Sequence, residues 1–381
     1  MKIVELRGYQ VGYTPAEPLG NASGFIRRRG FFLVEAVTAS GLSGWGEVFS
    51  SPYAAGAFLR HTLAPLVLGE SVFDYGRLWH RMTAALGYDR RGAGMMAVSA
   101  LDMALHDAAA RERGLSVAAM LGGALRQRLP AYASGPFLAP GGDPYRDYPR
   151  HVEAYLRRGF RGIKPRAGVT PRADGAMTAA LRRQAGDDAA LMIDFNRGCT
   201  LGSALASARR MAEADLLWME EPLSPEAIPG YREIARAAVM PVAGGEALAG
   251  VAAFREVLAA GIFAILQPDL SVCGGYTGFA RVAALAAAYD LPVMPHVFGT
   301  AVNFHASLQM AALLPGAHSG WAAPYPFIEV DATDNPLLRL CGEAAIAADG
   351  TIAIPDAPGT GLDLHRERLL PWTEESWCVT A

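Results

Sequence analysis

The chain has 381 residues, 51% hydrophobic and 19% charged, with a net charge of −3 and a pI near 6.3. That length exceeds one ordinary core and predicts a large domain plus a smaller one, and the composition is globular rather than disordered. With no long basic run and no apolar stretch of bilayer-spanning length, neither nucleic acid nor membrane is an expected partner.

The opening "MKIVELRGYQVGY" carries Glu5 and Arg7 where a signal peptide would need an apolar core. Cys199, Cys273, Cys341 and Cys378 are scattered without CxxC or zinc spacing, which reads as reduced thiols in a cytoplasmic protein. "KIVELRGYQV" and "RGFFLVEAVTASGLSGWGE" predict strands and a glycine-bounded hairpin. Helical patterns follow in "YAAGAFLRHTLAPLVLG", "FDYGRLWHRMTAAL" and "MMAVSALDMALHDAAARERG", the last stopped by Gly114. Near residue 125, "GGALRQRLPAYASG" marks a change of pattern.

From there, eight short apolar runs alternate with helical segments at roughly 25-residue spacing. The runs are "LPAYAS", "GIKPRA", "ALMIDFN", "LLWMEEP", "PVAGGE", "AILQPDL", "PVMPHVF" and "FIEVD". This predicts an α/β fold with a β/α barrel, whose active site forms at the C-terminal strand ends. In the second run, Lys164 and Arg166 share a strand face and Pro165 takes the other, where proline suits only a strand that is ending. Of the 34 basic residues only Lys2 and Lys164 are lysine, so Lys164 is the more telling cation.

Three consecutive runs end in acids, Asp194, Glu220 and Glu246, at equal intervals of 26 residues. Adjacent barrel strands would bring these carboxylates to one point, which is costly unless a cation neutralises them. Oxygen-only donors favour Mg²⁺ over zinc; the bland alternative is three separate acids bridging to arginines. The next two runs supply Asp269 and His296, an acid placed to orient an imidazole as a general base. His61, His80, His106, His151 and His365 lack such a setting, and His305 and His318 read as packing or surface residues. Glu329 ends the last run, either as a protonated donor to a developing oxyanion or as a cap on the barrel mouth. Asn196 and Glu221 are expected to support the acids.

Taken together, "KPR", "DFN", "WMEEP", "GGE", "PD", "PHVFGT" and "IEVD", with "SALDMALHD…GLSVAAMLGG" before and "IPDAPGTGLDL" after, resemble the enolase superfamily, mandelate racemase subgroup. The resemblance spans essentially the whole chain and looks most like its galactarolactone cycloisomerase and acid-sugar dehydratase branches. It implies an α+β capping domain (1–125, completed by 334–381) over a modified (β/α)₇β barrel (126–333). It also implies Mg²⁺ on Asp194, Glu220 and Glu246, and removal of a proton α to a small-molecule substrate's carboxylate. The family often has a second basic lysine where this chain has Arg166. Arginine is a poor proton acceptor, which favours one-base elimination over two-base racemisation. Arg27, among Arg27–Arg29, and Tyr53 in "SSPYAAG" are expected to contact the substrate's distal end, the arginines reading equally well as a solvated turn. A racemase of a 2-hydroxy or amino acid and a metal-stabilised, non-catalytic scaffold are the alternatives. A closed homo-oligomer is the expected assembly.

Overall fold

In the computed structural model, which describes residues 1–237, 240–316 and 325–381, the first third forms an antiparallel sheet backed by a buried helix. His318 lies outside the described residues. The strands of this region are β1 (Ile3–Tyr13), β2 (Leu19–Asn21), β3 (Gly24–Ile26), β4 (Arg29–Thr38) and β5 (Ser43–Val48). The rest of the chain supplies β6 (Arg128–Ser134), β7 (Gly162–Lys164), β8 (Ala190–Leu191), β9 (Ile193–Asp194), β10 (Met219–Glu220), β11 (Val242–Gly244), β12 (Ile265–Leu266), β13 (Ile328–Asp331), β14 (Thr351–Ala353) and β15 (Thr373–Thr380).

The capping sheet runs β15-β1-β4-β5, so the chain's last strand pairs with its first. Helix Ala93–Glu112 is apolar nearly all round and therefore buried between this sheet and the barrel. Gly44 and Gly46 of β5 allow that close approach, because a Cβ on either would collide with the helix backbone at Ala104 and Ala100. Gly114 follows the helix at φ 63° and ends it in the left-handed conformation.

The parallel strands close as the alternation of runs and helices predicts. β13, β6, β7 and β8 form one ladder, and β9, β10, β11 and β12 the next, joined by a bridge between Arg166 and Asp194. β7 ends at Lys164, so Pro165 takes no place in the regular ladder. Seven of the eight predicted runs form strands. The seventh, "PVMPHVF", forms one bridge, Val293 to Leu266, flanked by backbone bonds from Met294 N to Leu266 O and His296 N to Pro268 O, and is irregular beyond His296. Seven intervals between these runs carry helices, giving the (β/α)₇β architecture. Its interior is plugged by Tyr132, Met192, Trp218, Ala243, Ile265, Met294 and Phe327, one residue from each of seven runs. No helix among the described residues is long and apolar enough to cross a membrane.

Candidate active site

Directly above that apolar plug lies a layer of charge. Lys164 is 0% exposed and its Nζ stands 5.3 Å from the centre of the Tyr132 ring. It bonds Glu220 and lies 3.0 Å from Glu329 and 3.9 Å from Asp194. Glu220 also accepts from Trp218 Nε1 (2.9 Å) and Gln267 Nε2 (2.7 Å). Arg166 bonds Asp194 and donates to Ser134 Oγ at 2.9 Å, with its guanidinium 4.7 Å from the Phe137 ring. Lys164 and Arg166 thus enter the barrel interior together, as the strand alternation predicts. Only Arg166 reaches the cavity; Lys164 is sealed beneath it.

His296 completes the arrangement. Its Nδ1 stands 2.7 Å from Asp269 Oδ2, and its Nε2 stands 3.3 Å from Glu246 Oε2. Asp269 is itself held by Ser271 N and Oγ, both at 2.7 Å, and by Asn303 Nδ2 at 3.2 Å. With Nδ1 on Asp269, Nε2 is the ring nitrogen that faces Glu246 and the cavity. Burial disfavours the imidazolium, but Glu246, the Asp269 hydrogen bond and Glu329 outweigh it and raise the ring to about 10. Glu220 is pushed up to about 7 by burial, against the pull of Lys164. Burial also opposes ionisation of Glu329, but Lys164, His296 and Arg166 override it and hold that carboxyl at about 2. Glu329 is therefore an ion-paired acceptor in this geometry.

Arg166, Asp194, Glu246 and His296 border a cavity of about 390 Å³, a size suited to a small metabolite. Asp194, Asn196, Glu246, Arg166 and His296 form its polar side. Facing them are residues that sequence reasoning did not single out: Asn21 and Ile26 from the β2–β3 hairpin, Phe49 and Ser50 after β5, and Phe137 and Phe298 from the barrel. Phe49 lies edge-on to His296 at 5.9 Å. The hairpin tip is seated on the barrel mouth. Ala22 packs against Gly168 and Gly198, where a Cβ would collide with it, and Ser23 Oγ donates to Asn196 O.

Two expected contacts lie elsewhere. Tyr53 is 61% exposed and its hydroxyl donates to Glu374 at 2.9 Å, on the β15 side of the capping sheet. Arg27 is exposed and does not line the cavity, and Arg28 pairs with Glu374. Strand alternation is the reason: the buried member of the trio is Arg29, which points into the domain junction. His106 does have an acid neighbour, Asp102 at 3.4 Å, but it is stacked between Tyr75 and Tyr276 away from the cavity.

The three acids stand on adjacent strands, with Asp194 and Glu220 direct register partners. Each is engaged by a different cation, respectively Arg166, Lys164 and His296. Accordingly, no group of three or more His, Cys, Asp or Glu side chains among the described residues is arranged as metal ligands in this geometry. The donor chemistry nevertheless fits a hard divalent cation. All candidate ligands are oxygen, and Asn196 Oδ1 and Glu221 Oε2 are buried beside them without a hydrogen-bond partner. Asn196, Arg197 and Glu221 all have positive φ, a concentration of backbone strain at the barrel mouth. Burial, then the nearby Glu246, drives Glu221 well above the usual carboxylate range.

A capped (β/α)₇β barrel with acids on three successive strand ends and an Asp–His pair on the next two defines an enzyme that ionises carbon acids. Residues 4–122 match the mandelate racemase/muconate lactonizing enzyme N-terminal domain, and residues 147–368 match the enolase C-terminal domain-like family. The chain belongs to the mandelate racemase/muconate lactonizing enzyme family of the enolase superfamily. It is 33% identical over 373 residues to the D-galactarolactone cycloisomerase of Agrobacterium fabrum, covering 97% of this chain and 98% of that one. An enolase superfamily member from Polaromonas sp. JS666 has a similar structure, with a TM-score of 0.90, 28% identity and 98% coverage of both chains. So does the L-talarate dehydratase of Polaromonas sp. JS666 complexed with Mg and L-glucarate, with a TM-score of 0.84, 27% identity and coverage of 100% of this chain and 99% of that one.

Proposed function

We propose that this chain catalyses Mg²⁺-dependent β-elimination on an acid sugar or its lactone, starting with removal of the proton α to the carboxylate. The observation that carries the reading is a single oriented base, His296 on Asp269, lining one small cavity together with Arg166, Asp194 and Glu246. Asp194, Glu220 and Glu246 would hold the Mg²⁺, which supplies positive charge to the substrate carboxylate. The α-proton is barely acidic, so stabilising the enediolate charge matters as much as supplying a base.

His296 would accept that proton at Nε2 in its neutral form, its ring fixed by Asp269; a divalent cation on Glu246 would favour that form, because it offsets the carboxylate charge that raises the ring's pKa. Arg166 stays protonated, since Asp194 overrides the effect of burial and raises its pKa further. Its role is therefore charge and hydrogen bonding, and the two-base racemase reading loses support. Lys164 keeps a positive charge under the cavity floor, held there by Glu220 and Glu329. Breaking the β C–O bond completes the reaction. If the leaving group is hydroxide, it departs as water with the proton taken by His296. If it is a lactone ring oxygen, it leaves as a carboxylate and no atom is lost, so the product is an isomer. Either way the enol becomes a 2-keto-3-deoxy acid.

The full set of acids and the oriented base also count against a non-catalytic scaffold. We assign residues 1–125 and 334–381 to the capping domain and 126–333 to the barrel, in keeping with β15 pairing to β1. The four free cysteines support a reducing, cytoplasmic setting, and a homo-oligomer is the assembly we expect. The test is a screen of aldonic acids, aldaric acids and aldarolactones with Mg²⁺ in D₂O, followed by proton NMR. A 2-keto-3-deoxy product, lost on chelation and in His296→Asn, is the expected result. Deuterium wash-in at the α carbon without a new product would mean racemisation; binding without exchange or product would revive the scaffold.

A further inference from the structure

Up to His296, the segment that carries it keeps ladder bonds to the preceding run: Leu266 N donates to Pro292 O and Met294 N to Leu266 O, both at 3.0 Å. After the single bridge at Val293, His296 N donates to Pro268 O at 3.2 Å. From Val297 to Thr300, four backbone groups are then taken by side chains. Val297 N donates to Glu329 (3.0 Å), Phe298 O accepts from Arg29 Nη2 (2.6 Å) and Gly299 O accepts from Asn335 Nδ2 (3.0 Å). Thr300 N donates to Glu47 at 3.0 and 3.1 Å. Arg29 and Glu47 both come from the capping sheet, from β4 and β5.

Glu47 reaches further than one amide. It also accepts from the Thr300 hydroxyl (2.6 Å) and from Asn303 N (3.0 Å), so it fixes the first turn of helix Ala301–Ala312. Asn303 Nδ2 donates to Asp269 Oδ1, and the other oxygen of Asp269 holds His296. Gly299 lies so close to the Glu47 carboxylate that a Cβ there would collide with it. Arg29, 4% exposed, pairs with Asp331, donates to the Tyr13 hydroxyl at 3.1 Å, and lies 3.9 Å from the centre of the Phe298 ring. A fully buried Glu47 and a nearly buried Arg29 are expensive to desolvate, and neither lines the cavity.

Taking His296 as the base, we infer that Glu47 and Arg29 are positioning residues through which the capping sheet sets the imidazole's place in the barrel. Glu47 acts through Thr300, Asn303 and Asp269, and Arg29 through Phe298; neither touches a reacting atom. The capping domain therefore has a part in proton transfer as well as in covering the cavity. A displacement of about 1 Å at a reacting group can lower turnover on the order of 100-fold, which sets the scale of the effect.

The test uses the full chain with Mg²⁺, labelled with ¹⁵N-histidine, the His296 Nδ1–H resonance being assigned by its loss in His296→Asn. In Glu47→Gln and Arg29→Lys we expect that resonance to shift or broaden, with circular dichroism unchanged. On a turned-over substrate, kcat should fall roughly 10- to 100-fold with KM held within about twofold. The α-deuterium isotope effect on kcat should rise as proton removal becomes limiting. An unchanged resonance together with unchanged kcat per folded site would overturn the inference and leave both residues as simple struts. Should Glu47→Gln not fold, Asn303→Ala breaks the same relay without touching Glu47, and an unchanged resonance there would equally overturn it. The resonance needs no substrate, so failure of the elimination assignment would show as absent turnover while this question is still decided.

Discussion

Replacing Lys164 by methionine tests the charge layer directly. Methionine keeps most of the volume against the Tyr132 ring but removes the only lysine in the barrel. Glu220 would lose its sole partner on Oε1, keeping Trp218 and Gln267 on Oε2, and Glu329 would keep only the amide of Val297. Both carboxylates are 0% exposed. Removing one partner of a buried ion pair typically costs about 3–5 kcal/mol. With an unfolding entropy of roughly 2 cal/mol/K per residue, that lowers Tm by about 4–6 °C if the chain unfolds as one unit.

The assay is thermal unfolding in a chelator, so that the acids answer only to protein cations, at pH 8 and pH 5. In the wild type, Glu329 is held at about 2, below its unfolded value. It therefore contributes stability that is present above the unfolded pKa and is lost only as pH falls towards 2. Without Lys164, burial dominates and the carboxylates take up protons at higher pH. The gap between wild type and Lys164→Met should accordingly be wide at pH 8 and narrower at pH 5. A gap below about 1 kcal/mol, or one that is the same at both pH values, would refute the ion-paired charge layer.

Two further outcomes follow from the same geometry. Burial raises Glu47 to about 7, against the donors from Thr300 and Asn303, so its ionisation in the folded state opposes folding between pH 4.5 and 7. Glu47→Gln should therefore gain stability relative to the wild type as pH rises through that window, by up to about 3 kcal/mol, read from paired Tm values at pH 5 and 8. Arg27→Ala and Tyr53→Phe, both at exposed positions outside the cavity, should leave kcat/KM within about twofold; a loss of tenfold or more would put the distal-binding role back on the capping loops.

The acids and the base were legible in the sequence because a parallel barrel turns chain spacing into geometry. Asp194, Glu220, Glu246, Asp269 and His296 each fall one β/α unit apart, and each stands at the end of its run in space. What the spacing could not convey is which cation each acid takes. That depends on side-chain reach: Lys164 stops at the floor with Glu220, whereas Arg166, two residues later, continues to Asp194 and the cavity. The seventh run departs from a strand only past His296, for a related reason. Its apolar pattern is that of a strand, but its last residues are fixed by Glu329, Arg29, Asn335 and Glu47, and such long-range partners leave no periodic trace.

Arg29 and Glu47 did leave one signal. In "RGFFLVEAVT" Arg29 shares a strand face with the buried Phe31 and Leu33, and in "SGWGEV" Glu47 shares one with the buried Trp45. A charge on that side of a sheet has to find a partner across whatever packs against it. Here that neighbour is the stretch just after His296, where ladder hydrogen bonds give way to side-chain ones. A backbone ladder fixes a strand to the barrel alone, but these side chains fix the base to barrel and cap together. The proton-transfer geometry is therefore complete only when the two domains are docked, which ties formation of the base's position to closure of the cavity around the substrate.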